Sequence, residues 1–257
     1  MVTLKNYIAI ATGTASLVSL LLASGIEVSV NRGSNLLQWG TSAAAAENFI
    51  TYEPPDRGAP RSTQGTGTRG CTLPNSDRSV TPTSLTLLVP NDHTGQTISA
   101  NPTFAWYVPA TTSVPIEFSL VEPDVVDPLY VTTVEPDENG IVRVTLPEEV
   151  ASLETGKTYR WSVTMVCNPN RRSSDIFAQS WIKRVAPSNE AIAQLDNAQS
   201  DLETARIYAQ SGYWYDALAT LLEPETTSAS DPAIQQARTA LFEQAGVTPT
   251  EQPLVNR

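Results

Sequence analysis

The sequence predicts an all-β sandwich followed by a small α-helical tail. Two observations carry that prediction. From Ser84 to Val185 apolar residues recur at every second position in short runs separated by turn residues. That is the period of strands that turn one face to a core. After Val185 the spacing lengthens to that of helices, and recognisable helix caps punctuate the chain.

The strands follow in order. Leu85, Leu87 and Val89 alternate with Thr86 and Leu88. Phe104, Trp106 and Val108 alternate with Ala105 and Tyr107, and Ile116, Phe118 and Leu120 with Glu117 and Ser119. Tyr130 to Val134 is a β-branched run. Val142, Val144 and Leu146 alternate with Arg143 and Thr145. The Asn139-Gly140 pair before them suits a hairpin turn. Tyr159, Trp161, Val163, Met165 and Cys167 form the longest alternation, and Ile176 to Val185 the last. Seven short strands at this spacing fit a sandwich of the immunoglobulin or fibronectin kind. A small barrel is the alternative.

The helices have their own signals. Pro187-Ser188 opens a first helix carrying Ile192 and Leu195. Ser200-Asp201-Leu202-Glu203 is a capping box that starts a second, which Gly212 stops. Tyr213 to Leu222 forms a third, ended by Pro224. Asp231-Pro232 caps a fourth that closes at Gly246. Tyr208, Gly212, Trp214 and Ala217-Leu218, with Asp231-Pro232, resemble one tetratricopeptide hairpin in the order of their packing positions. One such repeat does not bury its own face, so it leans on the sandwich or recruits a partner.

The chain start predicts export. Lys5 precedes an uncharged apolar stretch from Ile8 to Leu22, and Ala44-Ala45-Ala46 is a small-residue cleavage site before Glu47. A cut after Gly25 and an uncleaved membrane anchor with a spacer are the alternatives. The organisation expected is a leader over 1–46, an extended Pro- and Gly-rich arm over 47–83, the sandwich over 84–186, the helical tail over 187–247 and a disordered end over 248–257. The leader's apolar stretch falls short of the ~20 residues that span a bilayer. No stable membrane span is expected after processing. The setting is then periplasmic or secreted, where Cys71 and Cys167 are expected to form a disulfide.

Charge narrows the partners. The chain has 16 Lys plus Arg against 27 Asp plus Glu, a net charge of −11. Such a surface repels phosphate backbones, so nucleic acid is excluded.

Little in the sequence points to catalysis. His93 is the one histidine, in the turn-like stretch Pro90 to Gly95. It reads as a solvated turn residue, without the companions a zinc site or a catalytic triad needs. No metal and no cofactor are expected. Carboxylates at Glu122-Asp124-Asp127, Glu135-Asp137-Glu138 and Glu148-Glu149 read as solvated hairpin loops. The loop Asn168 to Asp175 is the leading candidate for binding. Arg172 can clasp a carboxylate with two parallel bonds, beside Asn168 and Asp175. Arg172 and Asp175 can equally pair and shape the turn. Tyr213, Trp214 and Tyr215 offer a stacking platform for sugar or peptide, or an anchor on the sandwich. Helical spacing does not bury three consecutive rings on one side, so at least one is expected at the surface.

Several blocks carry a wider resemblance. They are Arg57-Gly58-Ala59-Pro60, Pro102-Thr103-Phe104 with Tyr107-Val108-Pro109, Gly156-Lys157-Thr158-Tyr159-Arg160-Trp161, Cys167-Asn168-Pro169 and Tyr213-Trp214-Tyr215-Asp216-Ala217-Leu218. Together they resemble the exported cyanobacterial family called domain of unknown function 928, over about Arg57 to Val247. The resemblance implies a cyanobacterial, extracytoplasmic setting and no assigned activity. The reading that follows is a non-enzymatic interaction module for an envelope or secreted protein. A carbohydrate-binding module for polysaccharide is the alternative, and a hydrolase using loop carboxylates a third.

Overall fold

Every alternating run becomes a strand at or near its expected place, and one strand is added. The computed structural model describes residues 50–55, 85–108, 114–135, 140–223 and 231–247. The expected leader, Cys71 and the expected disordered end lie outside these described residues. The strands are β1 (Thr86–Leu87), β2 (Gly95–Thr97), β3 (Thr103–Val108), β4 (Ile116–Val121), β5 (Tyr130–Val134), β6 (Gly140–Thr145), β7 (Thr158–Met165) and β8 (Ile176–Arg184). They form a three-stranded sheet, β1-β3-β6, and a five-stranded sheet, β2-β8-β7-β4-β5.

The added strand is β2. Its three residues Gly95-Gln96-Thr97 carry no apolar alternation, so period alone does not mark it. Its place comes from pairing parallel to β8, with Gly95 opposite Ile182 and Thr97 opposite Arg184. The other pairings are antiparallel.

The two sheets meet through rings. Phe104 of β3 lies 4.9 Å from Phe118 of β4 and 5.1 Å from Trp161 of β7, centroid to centroid. Trp161 has Ser180 opposite it on β8 and Leu120 opposite it on β4. The small serine leaves room for the indole. Aromatic pairs at such spacings add about 0.5–1.5 kcal/mol each beyond the area they bury.

Four helices follow among the described residues: α1 (Asn189–Leu195), α2 (Asp201–Gln210), α3 (Trp214–Leu221) and α4 (Pro232–Gln244). Their starts are the expected ones. Ser188 Oγ accepts from Ala191 N, Ser200 Oγ from Glu203 N, and Asp231 Oδ1 from Ala233 N. Each satisfies an amide that the first turn leaves unpaired. In the capping box Glu203 Oε2 reaches one residue further than expected, accepting from Gln199 N at 2.8 Å.

The expectation of an all-β domain with an appended tail needs correction. Trp214, Leu218, Ile234 and Leu241 belong to the same hydrophobic cluster as Phe104, Phe118 and Trp161. The fold is two packed sheets plus helices that wall one core, not a purely all-β one. Helix α3 lies closest. A Cβ at Gly95 would sit 2.8 Å from the Tyr215 ring, so β2 approaches the helix as only glycine allows. Arg143 of β6 donates to Leu222 O at the C-terminal end of α3, where a cation also suits the helix dipole.

Residues 50–55 complete the helical side as an extended strap. Ile50 and Tyr52 are buried. Tyr52 N donates to Gln244 Oε1, Gln244 Nε2 donates to Ile50 O, and Glu53 N donates to Ala209 O. Gly212 turns the chain at φ +79°, and a Cβ there would meet Glu53 O at 3.0 Å. Glycine answers both demands.

Candidate functional site

The predicted binding loop is braced from within. The residues Arg172–Ser174 form a short 3-10 turn. Asn168 Oδ1 accepts from Asn170 N, and Asp175 Oδ1 accepts from Cys167 N at 3.0 Å. Arg172 Nε donates to Asp175 Oδ2, and Arg172 Nη2 donates to Glu117 Oε1 at 3.1 Å. Those two carboxylates hold the guanidinium's pKa above its ordinary value, Glu117 more than Asp175. Arg172 thus ties the loop to β4 and turns its donors to the protein's own acids. Asn168, Arg172 and Asp175 do come together in this loop.

Trp214 and Tyr215 lie elsewhere, in the core. Tyr213 is buried with them, so all three consecutive rings are inside. The expectation of an exposed ring fails for two reasons. Tyr213 precedes the helix in a non-helical conformation, with its hydroxyl accepting from Ser188 N. The helix itself is covered on several sides, by β2 and β3 and by α2 and α4. A helix enclosed in this way buries positions all round. Trp214 Nε1 donates to Leu88 O at 2.9 Å. Tyr215 Oη accepts from Trp161 Nε1 at 2.8 Å and donates to Trp181 O at 3.1 Å.

His93 is not a solvated turn residue. It is 7% exposed and stacks on Tyr52 with centroids 5.6 Å apart. Its Nδ1 lies 2.7 Å from Asp92 Oδ1 and its Nε2 lies 2.6 Å from Tyr52 Oη. In the neutral ring, Nδ1–H donates to the Asp92 carboxylate and Nε2 accepts from the Tyr52 hydroxyl. The order acid, imidazole, hydroxyl has the look of a nucleophile relay. Its hydroxyl is buried, with Tyr52 6% exposed. Burial, aided by the charge of Asp92, pushes the Tyr52 phenol well above its ordinary range. The buried hydroxyl clamps the strap to His93.

Asp216 is the buried acid. Thr97 Oγ1 donates to its Oδ1 and Ile98 N to its Oδ2, each at 3.1 Å. Burial raises its carboxyl to about 6, against the lowering by those bonds. It borders a polar cavity of about 210 Å³ with Tyr208, Asn101 and Thr220. A carboxyl near 6 in a cavity can serve as a general base. Both of its oxygens already hold the end of β2, however, which makes the structural role the larger one.

Unspent chemistry remains in the groove between α1 and α2. Ala193 and Gln194 of α1 and Asn197 in the turn after it face Glu203, Arg206 and Ile207 of α2 around a cavity of about 570 Å³. Nε and Nη2 of Arg206 are shielded from water and meet no acceptor. A buried donor left without a partner costs about 1–3 kcal/mol, more when charged. An acceptor in the groove recovers that cost once the side chain turns those nitrogens toward it. None of the loop arginine, the histidine or the buried acid offers a comparable vacancy.

A family model described as Domain of Unknown Function (DUF928) matches residues 64–254. The chain belongs to the DUF928 family. No curated protein matches it. Within the DUF928 segment, the block Trp214-Tyr215-Asp216-Ala217-Leu218 is buried throughout. Its indole, phenol and carboxylate each bond a different strand or strand end. In this chain that block is therefore a packing device. Sequence reasoning passed over Arg206 and Tyr52. Helical spacing does place Arg206 beside Glu203, Ile207 and Gln210 on one face of α2. No sequence signal shows that its donors lack partners.

Proposed function

We propose that this DUF928 chain is an exported, non-enzymatic interaction module of the cyanobacterial envelope, and that the α1–α2 groove is where a partner protein docks. It is read as an immunoglobulin-like sandwich carrying a tetratricopeptide-like hairpin. The leader-like start supports export. The unpartnered Arg206 guanidinium in the groove carries the docking part of the reading, because it is charged binding capacity that the fold leaves unused. The polysaccharide reading lacks comparable support, since no Trp or Tyr is exposed among the described residues.

The test is affinity capture from the native envelope with wild-type protein, Arg206→Met and Arg172→Ala, followed by identification of what is retained. Arg206→Met is expected to lose a specific envelope protein while its melting temperature holds. A charged hydrogen bond lost in this way costs ~1.5–3 kcal/mol, enough to empty a pull-down. Loss with Arg172→Ala alone moves the site to the Asn168–Asp175 loop. Turnover of a glycan or peptide, abolished by changing Asp216, would replace the reading with an enzymatic one.

A further inference from the structure

Among the described residues the five-stranded sheet ends on β5, which pairs there with β4 alone. Sheet edges invite further strands, and proteins guard them with brevity, charge, proline or cover. The other edges here have such guards. β1 has two residues, β2 lies under Tyr215, and β6 carries Arg143. β5 reads Tyr130-Val131-Thr132-Thr133-Val134, without a charge or a proline. Val131 is 46% exposed, Thr133 is exposed, and Val125 and Val126 stand out just before the strand.

The sequence around this edge matches about Thr132 in its flanking prolines and aspartates, though not at Leu129 and Glu135. Pro128 and Pro136 each lie four residues from Thr132, and Asp127 and Asp137 five. We propose that β5 pairs antiparallel with β5 of a second copy of this chain, across a two-fold axis through Thr132. Tyr130 then opposes Val134 and Val131 opposes Thr133, pairings of aromatic and β-branched residues that stabilise sheets. The surface is self-complementary, as a two-fold interface requires. Register follows from two constraints. Tyr130, Thr132 and Val134 lie on the more buried side of β5, Val131 and Thr133 on the other. A slip of one residue sets buried-side against solvent-side residues and breaks the continuous faces. A slip of two sets Pro128 opposite Val134, or Pro136 opposite Tyr130, and the missing proline N–H leaves the ladder a bond short at that end of the strand. The acids beyond the prolines oppose like acids of the second copy, so salt tightens the pair by screening them.

Sedimentation velocity of the purified protein over a range of concentrations and salt tests this. The expected result is a monomer–dimer equilibrium that strengthens with salt. Val131→Lys with Thr133→Lys places like charges opposite each other twice and is expected to weaken the dimer about tenfold or more. Val131→Glu with Thr133→Lys places opposite charges there and is expected to keep it. Both variants set the lysine at 133 opposite Glu117 of β4, so both carry that change equally. A wild-type protein that stays monomeric at every concentration overturns the proposal. So does a dimer that the lysine pair leaves unchanged, or one that both variants weaken alike.

Discussion

The Trp161 indole donates its N–H to the Tyr215 phenol oxygen at 2.8 Å, and both side chains are buried. The same phenol donates on to Trp181 O. One hydroxyl therefore joins β7, β8 and α3. Tyr215→Phe keeps the ring and removes the oxygen. It leaves a buried indole N–H without its acceptor and a carbonyl without its donor. The expected loss is about 2–3 kcal/mol in denaturant unfolding. A loss below about 0.5 kcal/mol, the scale of surface changes, would mean that the bond carries no weight.

Trp214→Ala empties a fully buried site and removes the bond to Leu88 O. Large aromatic truncations of this kind cost about 3–5 kcal/mol. Calorimetry is expected to show a clearly lowered melting temperature, and an unchanged one would place the ring outside the core.

Asp216 makes stability depend on pH in a defined window. Its carboxyl is raised from 3.8 to about 6 by burial. The native state holds this proton to higher pH than the unfolded chain does. Its contribution is full below 3.8 and is lost as pH rises through about 6. The size follows from the shift, roughly 3 kcal/mol. Unfolding free energies measured for wild type and Asp216→Asn should draw together or cross as pH rises through that window. A difference that stays constant from pH 3.5 to 7 would show that the group titrates normally.

The Cys71–Cys167 bridge remains an expectation founded on export. Thiol labelling of unfolded, unreduced protein should find no free thiol. Closing a loop of roughly 97 residues contributes up to ~4.7 kcal/mol in the chain-entropy account, so reduction should lower the denaturation midpoint. Two labelled thiols per chain would remove the bridge.

Legibility in the sequence tracked how local the cause was. The run Tyr159, Trp161, Val163 and Met165 alternates in sequence and is buried in the structure, because a strand's two faces are set by its own period. Ser188, Ser200 and Asp231 cap helices within three residues of themselves. Features set by distant chain were not legible. β2 exists because β8 lies beside it. His93 is buried because Tyr52, 41 residues earlier, covers it. Tyr213, Trp214 and Tyr215 are all inside because strands and helices close around α3. The candidate site was the least legible. Arg172 looked available until Glu117, 55 residues away, appeared as its partner. Arg206 looked ordinary because the absence of a partner has no local sequence signature.

The strap carries a consequence for the order of assembly. Ile50 and Gln244 are bonded across 194 residues, and Tyr52 and Gln244 across 192. Contacts of such separation form only after a long loop has closed, which slows folding. A chain that emerges start-first therefore presents Ile50 and Tyr52 long before α4 exists to receive them. The strap closes only when the far end of the chain has arrived, and until then its apolar residues must be kept from other company.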